Sequence, residues 1–349
     1  MQAKEALSYG DILLVPQYSD IESRSEVNIS STLPGSGSYA TLRCALPIMS
    51  SPMDTISEVD MGVAMWNAGG LAIIHRYNTI EKQCSLADSV IVGSCANAAA
   101  AIGASGDYLD RAAALYDTGV RMLCIDVAHG HHVYVKNALH ELREMFGAAV
   151  HLMAGNVATL EGFVDLATWG ANSVRVGIGG GSICSTRIQT GHGIPTLESV
   201  MATRIAKHGG RFKNVKVIAD GGIRNSGDIV KAIACGADFV MVGSLLAGTD
   251  ECPGEVLVTP KGKFKTYRGM ASKDAQLEWR GKTSSLEGIS TVVPCRGPAG
   301  DVLSELARGI RSGLSYSGAR SIHELQQKAR FIIQSNAAQL ESSTHILVR

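Results

Sequence analysis

The stretch GGGSICSTR at 179–187 sets a cysteine, Cys184, directly after three glycines and among small polar residues. A cysteine thiolate is a nucleophile that attacks electron-poor carbon and can later leave. Structural cysteines, in contrast, usually lie among apolar neighbours and are chemically inert. The setting of Cys184 favours a nucleophile, and the alternative is a small loop residue that happens to be cysteine.

The chain has eight cysteines in 349 residues, with no CxxC pair and no cysteine–histidine spacing typical of zinc ligands. We therefore expect no disulfide framework, and scattered cysteines of this kind are typical of the reducing cytoplasm. A packing role is the simpler interpretation for the other seven, which are Cys44, Cys84, Cys95, Cys124, Cys235, Cys252 and Cys295.

The composition gives no bulk charge that would attract a nucleic acid or a membrane surface. Hydrophobic residues make up 45% of the chain, charged residues make up 18%, and the formal net charge is zero. We find no apolar run of about 18 residues, the length that spans a membrane, and no signal-peptide pattern at the start. We expect a cytoplasmic protein without nucleic-acid or membrane partners, and its neutral surface is compatible with an oligomer.

Eight short apolar runs predict eight strands, and most are separated by segments with a helical pattern. Eight such units fit a (β/α)8 TIM barrel, an α/β fold, better than a doubly wound sheet. The predicted strands are PIMSS (47–51), LAIIH (71–75), SVIVGS (89–94), MLCIDVA (122–128), VHLMAG (150–155), SVRVG (173–177), VKVIADGG (215–222) and FVMVGS (239–244). The predicted helical segments include 57–69, 98–119, 159–171 and 226–237.

Two segments lie outside these units: a turn-rich preamble at 1–46 and a long insertion after strand 8, at about 245–300. An insertion of this length in a compact domain is typically a lid or a binding loop. We predict one barrel domain over 1–349, with an active-site flap in the insertion and no inserted second domain.

A barrel gathers the carboxyl ends of its strands on one face, so the residues there are candidates for chemistry. The glycine-containing loops after strands 7 and 8 are expected to bind phosphate through backbone N–H groups. Asp220 is suited to a ribose hydroxyl, and the alternative is that it caps the next helix. The predicted strand-end residues are Ser50, Ser51, Asp54, His75, Arg76, Ser94, Asp126, His129, Asn156, Asp220 and Gly243.

The glycines before Cys184 either bring backbone groups together on a ligand, such as a monovalent cation, or form a tight turn. No ligand spacing of the zinc type occurs at the strand ends, so we expect no metal catalyst. Asp126 is suited to orient a ligand amide or hydroxyl, or to a hydrogen bond within the barrel mouth. Four histidines there stay unassigned: His75, His129, His131 and His132.

Longer motifs resemble those of the IMP dehydrogenase and GMP reductase family. They are LSYGDILLVPQYSDIESRSEV (7–27), SSPMD (50–54), DVAHGH (126–131), GGGSICSTR (179–187), IADGGIRNSGDIVKAIACGADFVMVGSLLAGTDECPGE (218–255) and YRGM (267–270). Together they cover nearly the whole chain, and their combination is highly specific. The resemblance implies a (β/α)8 barrel, in agreement with the strand count, and hydride transfer between purine C2 and a nicotinamide.

The same resemblance implies roles for individual residues. A purine nucleotide is expected to be attached through C2 to Cys184, with Thr186 and Glu287 handling proton transfer. Asp220 is expected at the ribose, and the Gly269–Met270 pair near the base. The expected phosphate contacts are Ser182, Gly221, Gly222, Gly243, Ser244 and Tyr267.

For the cofactor, the resemblance implies NADPH, or NAD in a dehydrogenase, and the usual assembly of the family is a homotetramer. The predicted cofactor contacts are Ser50, Arg76, Asp126 and Ser312. Arg76 replaces a lysine that is usual in the family. A potassium ion is expected on the backbone carbonyls of Gly179, Gly181 and Cys184. The CBS-type regulatory domain of many dehydrogenases is not found in this sequence.

The two branches of the family differ in their second step. The dehydrogenase hydrolyses the covalent intermediate with water activated by an Arg-Tyr pair on a long flap, whereas the reductase expels ammonia from GMP. Here 17 positions separate Met270 from Glu287, and Arg280 precedes glycine where a dehydrogenase has tyrosine. SRSEV (23–27) is reductase-like, whereas GGIRNSGDI (221–229) and SGARSIHELQQKARF (317–331) are closer to the dehydrogenase, and ASKDA (271–275) is typical of neither. We predict a GMP reductase, with an IMP dehydrogenase and a non-catalytic nucleotide-binding paralogue as alternatives.

Overall fold

The computed structural model describes residues 3–35, 41–94, 98–208 and 210–342. Eight parallel strands, β1–β8, form a closed barrel in chain order, and β8 pairs with β1 to complete the circle. The strands are β1 Ile48–Ser50, β2 Leu71–Ile74, β3 Ala99–Ile102, β4 Met122–Asp126, β5 His151–Val157, β6 Ser173–Val176, β7 Lys216–Asp220 and β8 Phe239–Val242. This barrel confirms the predicted (β/α)8 fold.

One long helix follows each barrel strand. Several of these helices end at a glycine with positive φ, a conformation that glycine adopts without strain, as at Gly69 (φ +82°) and Gly119 (φ +109°). The helices are α1 Val59–Asn67, α2 Ile80–Ser94, α3 Tyr108–Asp117, α4 Val133–Phe146, α5 Leu160–Thr168, α6 Thr196–His208, α7 Ser226–Ala234 and α8 Ala299–Tyr316. Within the part of the chain that the structure describes, no helix has the length and apolar character needed to cross a membrane.

The predicted strand SVIVGS (89–94) is wrong. These residues form the last turns of α2, and β3 is instead the run AAAI, which the sequence pattern placed in a helix. Alanine has the highest intrinsic helix propensity, but Ala99 and Ala101 belong to the barrel interior, where small residues fit beside bulky methionine and phenylalanine side chains. Ser94 therefore ends a helix rather than a strand, and its hydroxyl donates to the backbone one turn earlier (2.6 Å).

Side chains from a pair of strands outside the barrel help to fill the barrel interior at the amino-terminal end of the barrel strands. Strands Ser31–Leu33 and Leu42–Cys44 form an antiparallel pair outside the barrel. This pair contributes Leu33 and Cys44 to the buried interior cluster, whose barrel members include Met49, Ile73, Cys124, Met153, Ile218, Phe239 and Met241. A larger apolar layer lies between the strands and the surrounding helices. The cavity described below opens at the opposite, carboxyl end of the strands.

The insertion after β8 carries a three-stranded antiparallel sheet, Leu257–Thr259, Gly262–Arg268 and Ser290–Pro294, and the helix Lys273–Arg280. Lys265 in the middle strand is 4% exposed. Its ammonium donates to three backbone carbonyls, those of Thr249, Asp250 and Cys252 (3.1, 2.8 and 2.7 Å). These bonds hold the sheet against the segment that leaves β8.

In the preamble, strand Ile12–Leu14 pairs with Phe331–Ile333, which ties the first part of the chain to its last part. The shorter helices are Arg24–Glu26, Thr186–Thr190, Ile322–Lys328 and Asn336–Glu341.

Candidate active site

A cavity of about 290 Å³ opens at the carboxyl end of the barrel. Its walls are the loops that follow the strands, together with the insertion after β8. The lining includes every predicted catalytic and nucleotide-binding residue: Cys184, Thr186, Glu287, Ser182, Asp220, Gly221, Gly222, Gly243, Ser244, Tyr267, Gly269 and Met270. Residues that are far apart in the sequence therefore share one cavity, which we take as the candidate active site.

Cys184, Thr186 and Glu287 form a hydrogen-bonded chain in this cavity. The Cys184 thiol donates to the Thr186 hydroxyl (Sγ–Oγ1 3.2 Å), which donates to the Glu287 carboxylate (Oγ1–Oε2 2.7 Å). Because each separation is within hydrogen-bonding reach, a proton can pass between sulfur and carboxylate through one hydroxyl. This hydrogen-bonded geometry can serve a nucleophile with a proton relay.

Backbone hydrogen bonds join the cysteine loop to the insertion at the same point. The Ser185 N–H donates to the Glu287 carbonyl (2.9 Å), and the Ile289 N–H donates to the Ile183 carbonyl (3.1 Å). These bonds fix the position of Glu287, which lies 101 residues after Thr186, and so keep the carboxylate beside the Thr186 hydroxyl.

The surroundings of Cys184 differ from those of the cysteines in the core. Burial raises the pKa of the Cys44, Cys124 and Cys235 thiols to about 12. A thiol with so high a pKa stays protonated and unreactive at neutral pH. Cys184 is half-buried and lines the cavity, so a ligand there can reach its sulfur. Cys95 lies outside the described residues.

Glycines bring the loops after β6, β7 and β8 close together. Gly221 has φ +94°, and a Cβ at this position would lie 3.0 Å from the Gly181 nitrogen. A Cβ on Gly243 would lie 3.0 Å from the Tyr267 hydroxyl, which itself lies 3.5 Å from the Ser182 hydroxyl. Backbone without side chains therefore lines this wall, where N–H groups can approach an anion.

Asp220 ends β7 with its carboxylate at the cavity. Its Oδ2 accepts from Asn156 Nδ2 and from Arg175 Nη2, both at 2.8 Å. Within the described residues Oδ1 has no hydrogen-bond partner, so it is available to a ligand hydroxyl. The alternative that Asp220 caps the next helix is wrong, because Asn225 caps α7 by accepting the Asp228 N–H (2.9 Å).

Arg175, which the sequence analysis did not single out, lies beside this carboxylate and is 6% exposed. It donates to Asp126 (Nη1–Oδ1 2.5 Å) as well as to Asp220. Burial alone would lower the pKa of Arg175, but the two carboxylates raise it well above its ordinary value. The sequence could have identified Arg175 because it is the one charged residue in an apolar strand, and a buried charge requires partners of opposite charge. Arg175 holds both aspartates in place.

Two of the four predicted cofactor residues, Arg76 and Asp126, line the cavity. Arg76 donates to the Asp126 carbonyl (Nη2–O 3.2 Å). Ser50, in contrast, is fully buried, and its hydroxyl pairs with that of Ser57 (2.7 Å), so it offers no surface to a ligand. Ser312 lies on α8 and is not part of this cavity. Of the four predicted residues, only Arg76 and Asp126 are therefore placed to contact a cofactor bound in this cavity.

The three carbonyls predicted to hold potassium belong to one loop. The Gly181 carbonyl accepts the Cys184 N–H (3.2 Å), whereas no hydrogen bond from a described residue reaches the carbonyls of Gly179 or Cys184. Two of the three oxygens are therefore available, and the potassium site stays a prediction. Over 3–35, 41–94, 98–208 and 210–342, no three His, Cys, Asp or Glu side chains are grouped to hold a metal ion.

Two of the unassigned histidines have carboxylate partners outside this cavity. His75, which is 3% exposed, has Nε2 3.0 Å from Glu58 Oε1, and His131 has Nε2 2.8 Å from Asp165 Oδ2. These pairs fit the role of hydrogen-bonding residues in the barrel mouth.

The flap between Met270 and Glu287 consists of one helix and a turn. Helix Lys273–Arg280 ends at Gly281, which has φ +65°. Gln276 donates to the carbonyls of Ala271 and Ser285 (3.1 and 2.9 Å) and so closes the base of the flap. Residues 271–286 include no tyrosine.

The chain is similar to known proteins over nearly its whole length. A profile of the family described as "IMP dehydrogenase / GMP reductase domain" matches residues 6–345. The chain is 32% identical to the inosine-5'-monophosphate dehydrogenase of Nitrosopumilus maritimus over 481 aligned positions, which cover 99% of each chain. It is 31% identical to the GMP reductase of Leishmania major over 485 positions, covering 98% of this chain and 97% of that one.

A similar solved structure is that of a cysteine-to-alanine variant of GMP reductase from Trypanosoma brucei in complex with guanosine 5'-monophosphate. Its TM-score is 0.89 at 30% sequence identity, and the match covers 98% of both chains. The family contains oxidoreductases that use a nicotinamide cofactor, and members of both branches match this chain at similar identity. The chain belongs to the IMP dehydrogenase / GMP reductase family.

Proposed function

We propose that the protein is a GMP reductase, which converts GMP to IMP and ammonia with NADPH as the hydride donor. The observation that carries this proposal is the Cys184–Thr186–Glu287 chain beside the bare backbone of the loops after β7 and β8. The chain of side chains supplies a nucleophile and a proton relay. The loops supply an anion site for the nucleotide phosphate, with Asp220 at the ribose.

In the first step the Cys184 thiol passes its proton through Thr186 to Glu287, and the thiolate adds to C2 of the purine. The same proton returns through Thr186 to the exocyclic amine. The C2–N bond then breaks, ammonia leaves, and the purine stays bound to sulfur.

In the second step a hydride, which NADPH supplies when bound, adds to C2. The C2–S bond breaks and releases IMP and the Cys184 thiolate. The thiolate and the ammonia each take up a proton from solvent, so the overall reaction consumes GMP, NADPH and two protons. Arg76 and Asp126 are the cavity residues suited to orient the nicotinamide half, with Asp126 held by Arg175.

The flap supports a reductase because hydrolysis requires a base close to an attacking water. Residues 271–286 contain no tyrosine, and Arg280 precedes the glycine that ends the flap helix. The Arg-Tyr pair that the resemblance implies for a dehydrogenase is therefore not found in this segment.

A second candidate is an IMP dehydrogenase, which oxidises IMP to XMP with NAD. It is favoured by the relative from Nitrosopumilus maritimus and by the dehydrogenase-like motifs at 221–229 and 317–331. In that case Arg280 and Arg76 are the first residues to test for water activation. Oxidation of IMP by NAD, followed through the rise in absorbance at 340 nm, would support this candidate.

The third candidate is a non-catalytic paralogue that only binds a purine nucleotide. The Cys184→Ala variant separates it from either enzyme. We expect the substitution to abolish turnover and to leave GMP affinity within about threefold of the wild type, since the phosphate and ribose contacts come from other loops. The matched control is Cys295→Ala, a half-buried cysteine outside the cavity, which should retain full activity. Turnover retained by Cys184→Ala contradicts the proposed mechanism.

Three further features belong to the proposal: a cytoplasmic location, a homotetrameric assembly and a potassium ion on the carbonyls of Gly179, Gly181 and Cys184. The two available carbonyl oxygens in the loop support the potassium site. Activity that is the same with and without K⁺ would remove the ion from the proposal.

A further inference from the structure

The carboxylate of Glu287 belongs to a segment that has no regular structure of its own. Residues 281–287 form neither helix nor strand, and residues 281–286 are exposed to solvent. A proton relay nevertheless requires heavy atoms within about 2.6–3.2 Å of each other. Contacts with neighbouring elements must therefore set the position of this carboxylate.

Gln276 is the buried polar side chain of the flap helix, which precedes this segment. The helix Lys273–Arg280 buries only Ala275 and Gln276, and Gln276 is 3% exposed. Burial of an amide costs free energy unless its donors and its acceptor are paired. An apolar side chain would fill the same space without that requirement, so the amide indicates a hydrogen-bonding role.

The Gln276 amide joins the two ends of the flap. Its Oε1 accepts from the Ser284 N–H (2.6 Å) and from the Ser284 hydroxyl (3.0 Å). Its Nε2 donates to the Ser285 carbonyl (2.9 Å) and to the Ala271 carbonyl (3.1 Å). The Ala271 carbonyl also accepts the Glu287 N–H (3.2 Å). One amide therefore holds the start of the flap against the residues that lead to Glu287.

Ser285 extends this alignment to the carboxylate itself. Its hydroxyl donates to Glu287 Oε1 (3.2 Å), whereas the Thr186 hydroxyl donates to Oε2 (2.7 Å). The two carboxylate oxygens thus have different donors, and Oε2 is the one that faces Thr186. Because Gln276 holds the backbone of Ser285, it helps to orient this carboxylate, although Gln276 itself does not line the cavity.

We propose that Gln276 is a positioning residue for the reaction, which acts through Ser285 to keep the Glu287 carboxylate beside Thr186. The inference rests on the proposed role of Glu287 as the proton acceptor. It gives the short flap a function of its own: the flap holds the proton acceptor of the relay in place.

The test compares kcat for GMP reduction in the wild type, Gln276→Met, Glu287→Gln and the variant with both substitutions. Methionine is unbranched and flexible like glutamine, and it forms none of the four hydrogen bonds. We expect Gln276→Met to lower kcat at least about tenfold, since small displacements of reacting groups are costly. GMP affinity, measured by calorimetry, should stay within about threefold, because the phosphate and ribose contacts come from other loops.

The double variant separates a positioning role from a general structural role. If Gln276 acts through Glu287, its loss has no further effect once residue 287 cannot accept a proton. In the Glu287→Gln background we therefore expect Gln276→Met to lower kcat by less than about twofold. A merely structural side chain would cause the same loss in both backgrounds.

Ser285→Ala is the second test variant, and it removes one exposed hydroxyl. It should lower kcat about threefold or more when Glu287 is present and have no effect in Glu287→Gln. It decides the case if urea unfolding shows that Gln276→Met is not folded. The matched control is Lys273→Met, an exposed residue at the start of the same helix, which should keep the wild-type kcat.

Three outcomes overturn the inference while GMP reduction by the wild type upholds the proposed function. They are a wild-type kcat in both Gln276→Met and Ser285→Ala, equal losses in the two backgrounds, or an equal loss in Lys273→Met. If the wild type instead oxidises IMP, the proposed function fails, and the same proteins are compared in that reaction, where the Cys184 thiol must also lose its proton. A loss that depends on Glu287 would then keep the positioning role. A wild type that catalyses neither reaction overturns both.

Discussion

The proton relay is the step of the proposed mechanism that a single substitution tests most directly. Thr186→Val removes the hydroxyl of the relay with little change in the shape of the side chain. The substitution replaces one hydroxyl by a methyl group. That hydroxyl lies 3.2 Å from Cys184 Sγ and 2.7 Å from Glu287 Oε2. Without it, the sulfur and the carboxylate are up to about 6 Å apart, too far for direct proton transfer.

The magnitude follows from the role of the hydroxyl. Positioned general acid–base groups contribute about 10²–10⁴ in rate, so we expect kcat to fall at least 100-fold, which corresponds to about 2.7 kcal/mol of barrier. GMP affinity should change by less than about threefold, because the phosphate wall and Asp220 are untouched. Thr186→Ser keeps the hydroxyl and should recover most of the activity.

The assay is the fall in absorbance at 340 nm with GMP and NADPH, accompanied by calorimetric binding of GMP. The matched control is Thr190→Val, one turn later in the same short helix, where an exposed hydroxyl donates to the Thr186 carbonyl (2.8 Å). The reasoning is refuted if Thr186→Val keeps kcat within about threefold of the wild type, or if Thr190→Val loses as much.

Three further outcomes are expected. Glu287→Gln keeps a hydrogen bond to Thr186 but cannot accept its proton, so kcat should fall far more than GMP affinity, and equal losses in the two would count against the relay. Lys265→Met leaves the carbonyls of Asp250 and Cys252 without their hydrogen-bond donor, whereas the Thr249 carbonyl keeps the Cys252 N–H (3.1 Å). It should lower the free energy of unfolding by about 3 kcal/mol, read from urea midpoints against Lys263→Met, an exposed lysine on the same strand. Burial lowers the pKa of His151 to about 4, so the unfolded chain binds more protons between pH 6.5 and 4, and stability should fall by up to about 3 kcal/mol as the pH drops through this range. This acid loss should be smaller in His151→Gln than in the exposed control His140→Gln.

The barrel could be predicted from the sequence because buried parallel strands are continuous apolar runs, and seven of the eight predicted runs overlap barrel strands. The failure at β3 has a definite cause. Alanine favours helices when it is considered alone, and only the packing inside the barrel makes the run at 99–102 a strand. Tertiary context of this kind cannot be obtained from local periodicity.

The candidate site was predictable to different degrees. Strand ends meet on one face of a barrel, so Asp126, Asn156 and Asp220 could be grouped from topology. Glu287 could not, because it lies in the insertion, and only the family resemblance assigned it to the relay. Arg175 was missed because it belongs to an apolar strand, and its partners became visible only with the barrel closed.

The most direct test of the central claim compares two reactions of the purified wild-type protein at 340 nm. One contains GMP with NADPH, and the other contains IMP with NAD and K⁺. The account predicts a fall in absorbance in the first, with one ammonia released per NADPH consumed, and no rise in the second. A rise in the second with no change in the first would contradict it and make the protein an IMP dehydrogenase.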